Sequence, residues 1–224
     1  MNNKLKEMSL DELLSTVIWP AFLETFYMLI CTAILSLLIG MILALILVIT
    51  SDDGLAPNRA VNRILDFIIS TVRSFPFIIL VVIMIPVTRL LAGTVLGWQA
   101  AVIPLSFALS MFAARLFEAS LREVDPALIE AARSFGASRR QIVFSVILPE
   151  SVALIVKNIT VTLIQIIAAT AVVGAVGAGG LGSLAINYGY QLFNDRVMYS
   201  TVAVIIVLVL GLQYIGDFLY KKLK

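Results

Sequence analysis

From Thr25 to Thr50 the chain runs for 26 residues without a charged side chain. About 20 apolar residues in a helix cross the roughly 30 Å of hydrocarbon in a bilayer. In that medium every backbone N–H and C=O needs an internal partner, so a stretch of this kind is a spanning helix. Other stretches repeat the pattern: 61% of the 224 residues are hydrophobic and 13% are charged, against about 45–50% and about 25% in soluble domains. So much apolar surface cannot be hidden in one soluble core. The expectation is an all-α membrane protein of five transmembrane helices, a single transmembrane domain over 1–224. Its spans lie at about 20–50, 60–88, 96–118, 150–174 and 197–220, counted on the length rule.

Composition also excludes. A formal net charge of +2 gives no electrostatic case for nucleic acid. There is no histidine, which removes the commonest general base and metal ligand. Cys31 is the one cysteine, so no intramolecular disulfide or zinc cage is expected. The spans offer no paired carboxylates, Ser/His pair or metal cluster, so an intramembrane enzyme is disfavoured. An ion-coupled carrier would want buried acids, whereas the acids near spans, Asp66, Asp217 and Glu24, all lie close to span ends. Five spans without a visible repeat also speak against the inverted-repeat carriers.

At the N-terminus, Met1 to Glu12 is polar and lacks the pattern of a cleavable signal. Ser9 to Glu12 reads as a capping box. It opens a short helix up to Pro20, with Leu10, Leu13, Leu14, Val17 and Ile18 on one face. That helix either lies in the membrane interface or leads into the first span.

Two connections stand out. One is the charged stretch Arg115–Pro149, and the other is the glycine-rich stretch Gly174–Arg196. Basic residues set orientation. With the charged connection inside, Arg59, Arg63, Arg115, Arg122, Arg133, Arg139, Arg140, Lys221, Lys222 and Lys224 are cytoplasmic. Lys4, Lys6, Arg89 and Arg196 are outside, and Arg73 and Lys157 fall within spans. The N-terminus is then outside and the C-terminus inside.

The charged connection carries strong local signals. Asp125 is a good N-cap and Pro126 suits the first helical position. Gly136 supplies the residue that ends the helix in the left-handed conformation. Ser138 to Gln141 is a second capping box, and Pro149 ends or kinks the helix that it starts. The result is helix, tight glycine turn, helix. A rigid knob of this kind suits a partner's groove: small alanines permit close approach, and arginines can meet carboxylates.

The same stretch resembles the EAA loop of permeases in bacterial ATP-binding-cassette (type I) importers. That pattern has Glu-Ala-Ala, a glycine four residues on, then Ile-x-Leu-Pro. Here it reads Glu130-Ala131-Ala132, Gly136 and Val146-Ile147-Leu148-Pro149, with valine for isoleucine. Two more segments carry the resemblance. Arg73-Ser74-Phe75-Pro76-Phe77-Ile78-Ile79-Leu80 looks like the second-span signature of amino-acid importer permeases. Gly177 to Gly182 with Tyr188-Gly189-Tyr190-Gln191 is similar to permeases of the methionine uptake family, and phosphonate-type permeases share parts of the pattern. Over most of the chain the resemblance to the methionine uptake family is strongest. It implies a cytoplasmic coupling helix between helices 3 and 4, in a coupling loop 119–149. Glu130, Ala131, Ala132, Gly136, Ala137, Arg139, Arg140, Leu148 and Pro149 would couple it to an ATPase. It further implies a homodimer with two ATP-binding-cassette ATPase subunits and an external substrate-binding (lipo)protein. ATP and magnesium belong to the ATPase. This chain has no Gly-x-x-x-x-Gly-Lys-[Ser/Thr] to cradle phosphates and binds no cofactor. Methionine, including D-methionine and derivatives, is the implied cargo; another amino acid or a phosphonate is the alternative.

Asn158, Thr162, Gln165 and Ala169 recur at helical spacing in the fourth span. Polar residues there face protein or a watery cavity, so the stripe is a candidate translocation pathway. The competing reading is interhelical hydrogen bonding, about 0.6 kcal/mol each. The stripe holds no fixed charge, which suits a neutral or zwitterionic cargo. Arg73, at a depth where a charge costs at least about 2.5 kcal/mol unless it pairs or snorkels, is expected to pair with Asp66 or to reach the inner interface ahead of touching substrate. The glycine run also fits Gly-x-Gly-x-x-Gly, but no βαβ unit surrounds it. It reads as close packing or a re-entrant turn, with Tyr188 and Tyr190 as interfacial anchors or contacts for the binding protein.

Overall fold

A computed structural model of the chain describes residues 8–224. Lys4 and Lys6, counted above as external, lie outside the described residues. Every regular element among the described residues is helical. We label eight helices: α1 Trp19–Thr50, α2 Arg59–Ser74, α3 Phe77–Ile83, α4 Ile85–Ala92, α5 Trp98–Arg122, α6 Pro126–Ser134, α7 Leu148–Val173 and α8 Asp195–Leu223. Four helical stretches are long and apolar enough to cross a membrane: Asp11–Thr50, Trp98–Arg122, Arg139–Ala178 and Asp195–Leu223. The pair α2 and α3, bent by 107° at their junction, makes a fifth if it counts as one span.

Pro104 lies inside α5, and two further prolines do not stop their helices. The short N-terminal helix passes through a π turn, Leu14–Ile18, straight into α1, and Pro20 sits in the first turn beyond it. Likewise Arg139–Ile142 passes through a π turn, Val143–Ile147, into α7, and Pro149 comes directly after. A proline ring clashes with the carbonyl four residues back and lacks the N–H that would bond it. The wider π turn moves that carbonyl aside: Leu148 N–H donates to Val143 O, five residues back. Pro149 therefore neither ends the helix nor separates the coupling segment from its span.

The second span, by contrast, is broken. After Ser74 the backbone of Phe75 and Pro76 is extended, and α3 restarts at Phe77 in a new direction. The residue before a proline is pushed out of the α region, and no π turn intervenes here. A second break, Gly93 to Gly97, precedes α5, with both glycines at positive φ.

The core forms where α1, α5 and α7 cross. Met28, Leu29, Leu105, Leu109, Ile166 and Ile167 are all buried in it. Small residues allow the approach: a Cβ on Gly40 would come 2.7 Å from Ala113 Cβ. A second cluster, with Phe117, Leu121, Ile142 and Ile147, roots the coupling segment in the bundle. In a third, Leu13 and Ile18 pack on Leu181, Leu184 and Val197. This fixes the N-terminal helix against the glycine-rich loop, while Leu14 on the same turn stays exposed. Helix α8 is the least covered of the long helices: Val197, Thr201 and Gly216 are buried against its neighbours, but most of its apolar surface is not. Its apolar surface faces lipid or protein outside this chain. Lys157 of α7 lies over the ring of Tyr220, 5.8 Å from the centroid, which shelters a cation near the end of α8.

Candidate coupling loop and translocation site

The knob between α5 and α7 is built by its caps. The Asp125 carboxylate accepts from Ala127 N–H at 2.9 Å, which starts α6. At the other end Gly136 takes φ 79°. Gly136 N–H then donates to Arg133 O at 2.9 Å and Ala137 N–H to Ala132 O at 3.1 Å, the paired bonds of a Schellman motif. Ser138 opens the next helix with a complete capping box to Gln141. Glu130, Ala131, Gly136, Arg139, Arg140 and Pro149 are exposed; Ala132, Ala137 and Leu148 are half-buried against the second cluster. One face of the knob is thus rooted and the other is free. The free face carries a residue that the motif did not single out. Phe135, on the turn itself, is 91% exposed. An aromatic beside a helix-ending glycine was the available signal.

The expected loop 119–149 shrinks, because α5 continues to Arg122. Arg115, taken above as the start of the charged connection, is part of α5. Its guanidinium pairs with Asp66 of α2 and, at 2.7 Å, with Glu118, which also takes Arg122 at 3.0 Å. Asp66 is therefore not the partner of Arg73.

The stripe on α7 divides. Asn158 Nδ2 donates to Leu116 O at 3.0 Å and to Ser120 Oγ at 2.7 Å, both on α5. Thr162 is fully buried and donates to Asn158 O at 2.8 Å. Asn158 thus joins α7 to α5, while Thr162 bonds back within α7. Gln165 is exposed and, with Ala169, lines a cavity of about 420 Å³ beside the α2–α3 break. The opposite wall includes Arg73, Phe75 and Phe77, and α5 adds Leu109 and Phe112. The cavity thus holds one fixed positive charge, where a charge-free path was expected. Arg73 makes no ion pair with any described residue.

The glycine-rich loop is a packing device. Val176 and Gly177 break the helix, and Gly177, Gly179 and Gly180 have positive φ. A Cβ on Gly182 would lie 2.3 Å from Ala171 Cα. Gly180 N–H donates to Glu24 Oε2 at 2.6 Å, and Leu181 N–H to Thr25 Oγ1 at 2.8 Å. Glu24, placed by the sequence near a span end, therefore holds the loop. Tyr188 is half-buried in the third cluster, whereas Tyr190 is 70% exposed.

Apolar helices around a largely apolar cavity that holds two polar side chains, with a rigid capped knob protruding at one end, are the plan of a membrane transport subunit. Residues 36–224 match the family described as binding-protein-dependent transport system inner membrane component. The chain belongs to this family of inner-membrane transport proteins, and is a multi-pass inner-membrane protein. It is 40% identical over 212 residues to the probable D-methionine transport system permease protein MetI of Vibrio cholerae, covering 95% of this chain and 92% of that one. It is 42% identical over 202 residues to the methionine import system permease protein MetP of Bacillus subtilis, covering 90% and 91%. Among solved structures, an inward-facing conformation of the MetNI methionine ABC transporter aligns with TM-score 0.92 and 36% identity, over 97% of this chain and 100% of that one. An amino acid ABC transporter with histidines shares the fold at TM-score 0.74 and 20% identity.

Proposed function

We propose that this chain is the channel-forming permease of an ATP-driven importer of methionine. The observation that carries the reading is the knob: Glu130-Ala131-Ala132 and Gly136 in a doubly capped turn, free on one face and continuous through a π turn with α7. Its similarity to MetI and MetP supports the choice of cargo. The chain works as one transmembrane domain with five spans, α2 and α3 counting as one, the N-terminus outside and the C-terminus inside. The knob, with Arg139 and Arg140 flanking it, docks in an ATPase subunit that binds ATP and magnesium. Two copies of the chain serve two ATPases, and an external binding protein delivers substrate.

Energy enters through the knob. When ATP draws the ATPases together, the two knobs move with them. Because no flexible joint separates Arg139 from Val173, displacement at the knob becomes a tilt of α7, and α7 carries Gln165 and Ala169 on the cavity wall. Alternating access is then a two-state equilibrium that ATP biases. Gln165 and Ala169 lie on the translocation path, while Asn158 holds α7 to α5 and Thr162 is buried, bonded back within α7. This chain does no catalysis; hydrolysis belongs to the partner.

The test is radiolabelled methionine uptake in cells deleted for this chain, complemented with the wild type or with Gly136→Pro, with membrane levels checked by blot. Proline cannot adopt φ 79°. Uptake restored by the wild type and not by an inserted Gly136→Pro is expected. Normal uptake by Gly136→Pro would remove the coupling assignment.

A further inference from the structure

The cavity beside the helix break is electrostatically one-sided. Arg73 is the sole charged residue among those lining it. The nearest acid on its own helix, Asp66, is already held by Arg115, and no described carboxylate pairs with Arg73. Gln165 stands on another wall from α7, and Phe77, Leu80, Leu109 and Phe112 supply apolar surface between them. A cavity of about 420 Å³ is in the range of small-molecule sites, which combine apolar walls with few polar groups.

A guanidinium left without a partner in such a place is matched by one kind of ligand group. Its forked donors fit a carboxylate in two parallel hydrogen bonds, which an ammonium cannot do. We infer that Arg73 anchors the carboxylate of the transported amino acid in this cavity. The apolar side chain of the cargo then lies against Phe77 and Phe112, and Gln165 meets its polar backbone atoms from the side of α7. The position explains the placement at the break. The bend after Ser74 turns α3 away from α2, and that opens the space that Arg73 overlooks. It also joins recognition to gating, because α7 carries Gln165 and is rooted in the knob. The inference rests on the importer reading above.

The test uses the complete complex with its ATPase and binding protein in proteoliposomes. If the wild type moves no methionine, the methionine reading falls and this inference with it. With the wild type active, Arg73→Gln is expected to cut methionine moved per ATP about tenfold while ATP hydrolysis stays within about twofold, and Arg73→Lys to recover part of the loss. Wild-type yield per ATP in Arg73→Gln would overturn the anchor and leave the importer standing. A second measurement keeps Arg73 in place. Gln165→Cys, in a Cys31→Ser background, is labelled in the solubilised complex by thiosulfonates of opposite charge. The anionic reagent is expected to react about tenfold faster than the cationic one, and methionine to slow labelling where methionine amide does not. Equal rates for the two reagents, or equal protection by the amide, would overturn the proposal.

Discussion

Glu24 of the first span and Gly180 of the glycine-rich loop, 156 positions apart, share a hydrogen bond of 2.6 Å from the glycine N–H to the carboxylate. The loop has positive-φ glycines at 177, 179 and 180 and so little conformational preference of its own. Glu24 and Thr25 fix its backbone instead. Glu24→Ala leaves the Gly180 N–H without its acceptor, a loss of about 1–3 kcal/mol. Glu24→Gln keeps an oxygen there and loses less. Melting of the purified complex in detergent checks the order, wild type above Gln above Ala.

Close packing of that loop on α7 gives a second expectation. A Cβ on Gly182 meets backbone, Ala171 Cα at 2.3 Å and its carbonyl oxygen at 2.9 Å, and backbone cannot rotate aside. Gly182→Ala is therefore expected to destabilise by about 1–3 kcal/mol, read as lower membrane abundance and an earlier melt.

At the knob the strain is of another kind. Nothing lies within 4 Å of a Cβ built on Gly136, so its φ of 79° is the whole cost of substitution. An L residue in that region loses about 1–2 kcal/mol. Gly136→Ala is expected to insert normally and keep most uptake. Gly136→Val, whose branched Cβ tolerates the conformation worse, falls toward the level of Gly136→Pro. Uptake normalised to membrane level separates the three.

The two polar positions on α7 should part in experiment as they part in space. Asn158→Leu removes two hydrogen bonds to α5, about 0.6–1.7 kcal/mol each in membrane proteins, and lowers stability without changing which substrates move. Gln165→Leu lies on the cavity wall and lowers transport with assembly intact. Equal loss of assembly in both variants contradicts the division.

How far the sequence carried the fold differs from place to place, and the reasons are local. Asp125, Gly136 and Ser138 act through hydrogen bonds within a few residues, so the caps and the turn of the knob were readable, though Phe135 on its free face was not. The apolar runs that became α1, α5, α7 and α8 were readable for the same reason, since length and hydropathy are properties of the segment. The path of the chain beyond a proline was not readable in this way. Pro20 and Pro149 continue their helices after π turns, while Pro76, with no π turn before it, redirects one. Partners far apart in sequence were equally hidden. Asp66 chose Arg115 over Arg73, which freed Arg73 for the cavity, and Glu24 found a backbone N–H at the other end of the chain. On α7, helical spacing put Asn158 and Gln165 on one stripe, but the stripe crosses from a helix contact to a cavity wall.

The ionic cluster at the base of α5 yields the last expectation. Glu118 is buried and takes both Arg115 and Arg122, whereas Asp66, half exposed, takes only Arg115. Removing one member of a buried ionic set leaves the others uncompensated, a loss of about 3–5 kcal/mol when burial is complete. A solvent-screened pair is worth about 0–1 kcal/mol. Glu118→Ala therefore removes two ion pairs at once, leaving Arg122 without its partner and Arg115 with Asp66 alone, and is expected to cost clearly more than Asp66→Ala, which leaves Arg115 its bond to Glu118. Arg115→Ala should fall between them, because Glu118 keeps Arg122. The double variant Asp66→Ala, Arg115→Ala then loses less than the sum of its parts, since both changes delete the same contact. Thermal melts of the four variants, with membrane abundance alongside, give the ranking, and strict additivity of the pair would show that the bond between α2 and α5 does not hold the broken second span in place.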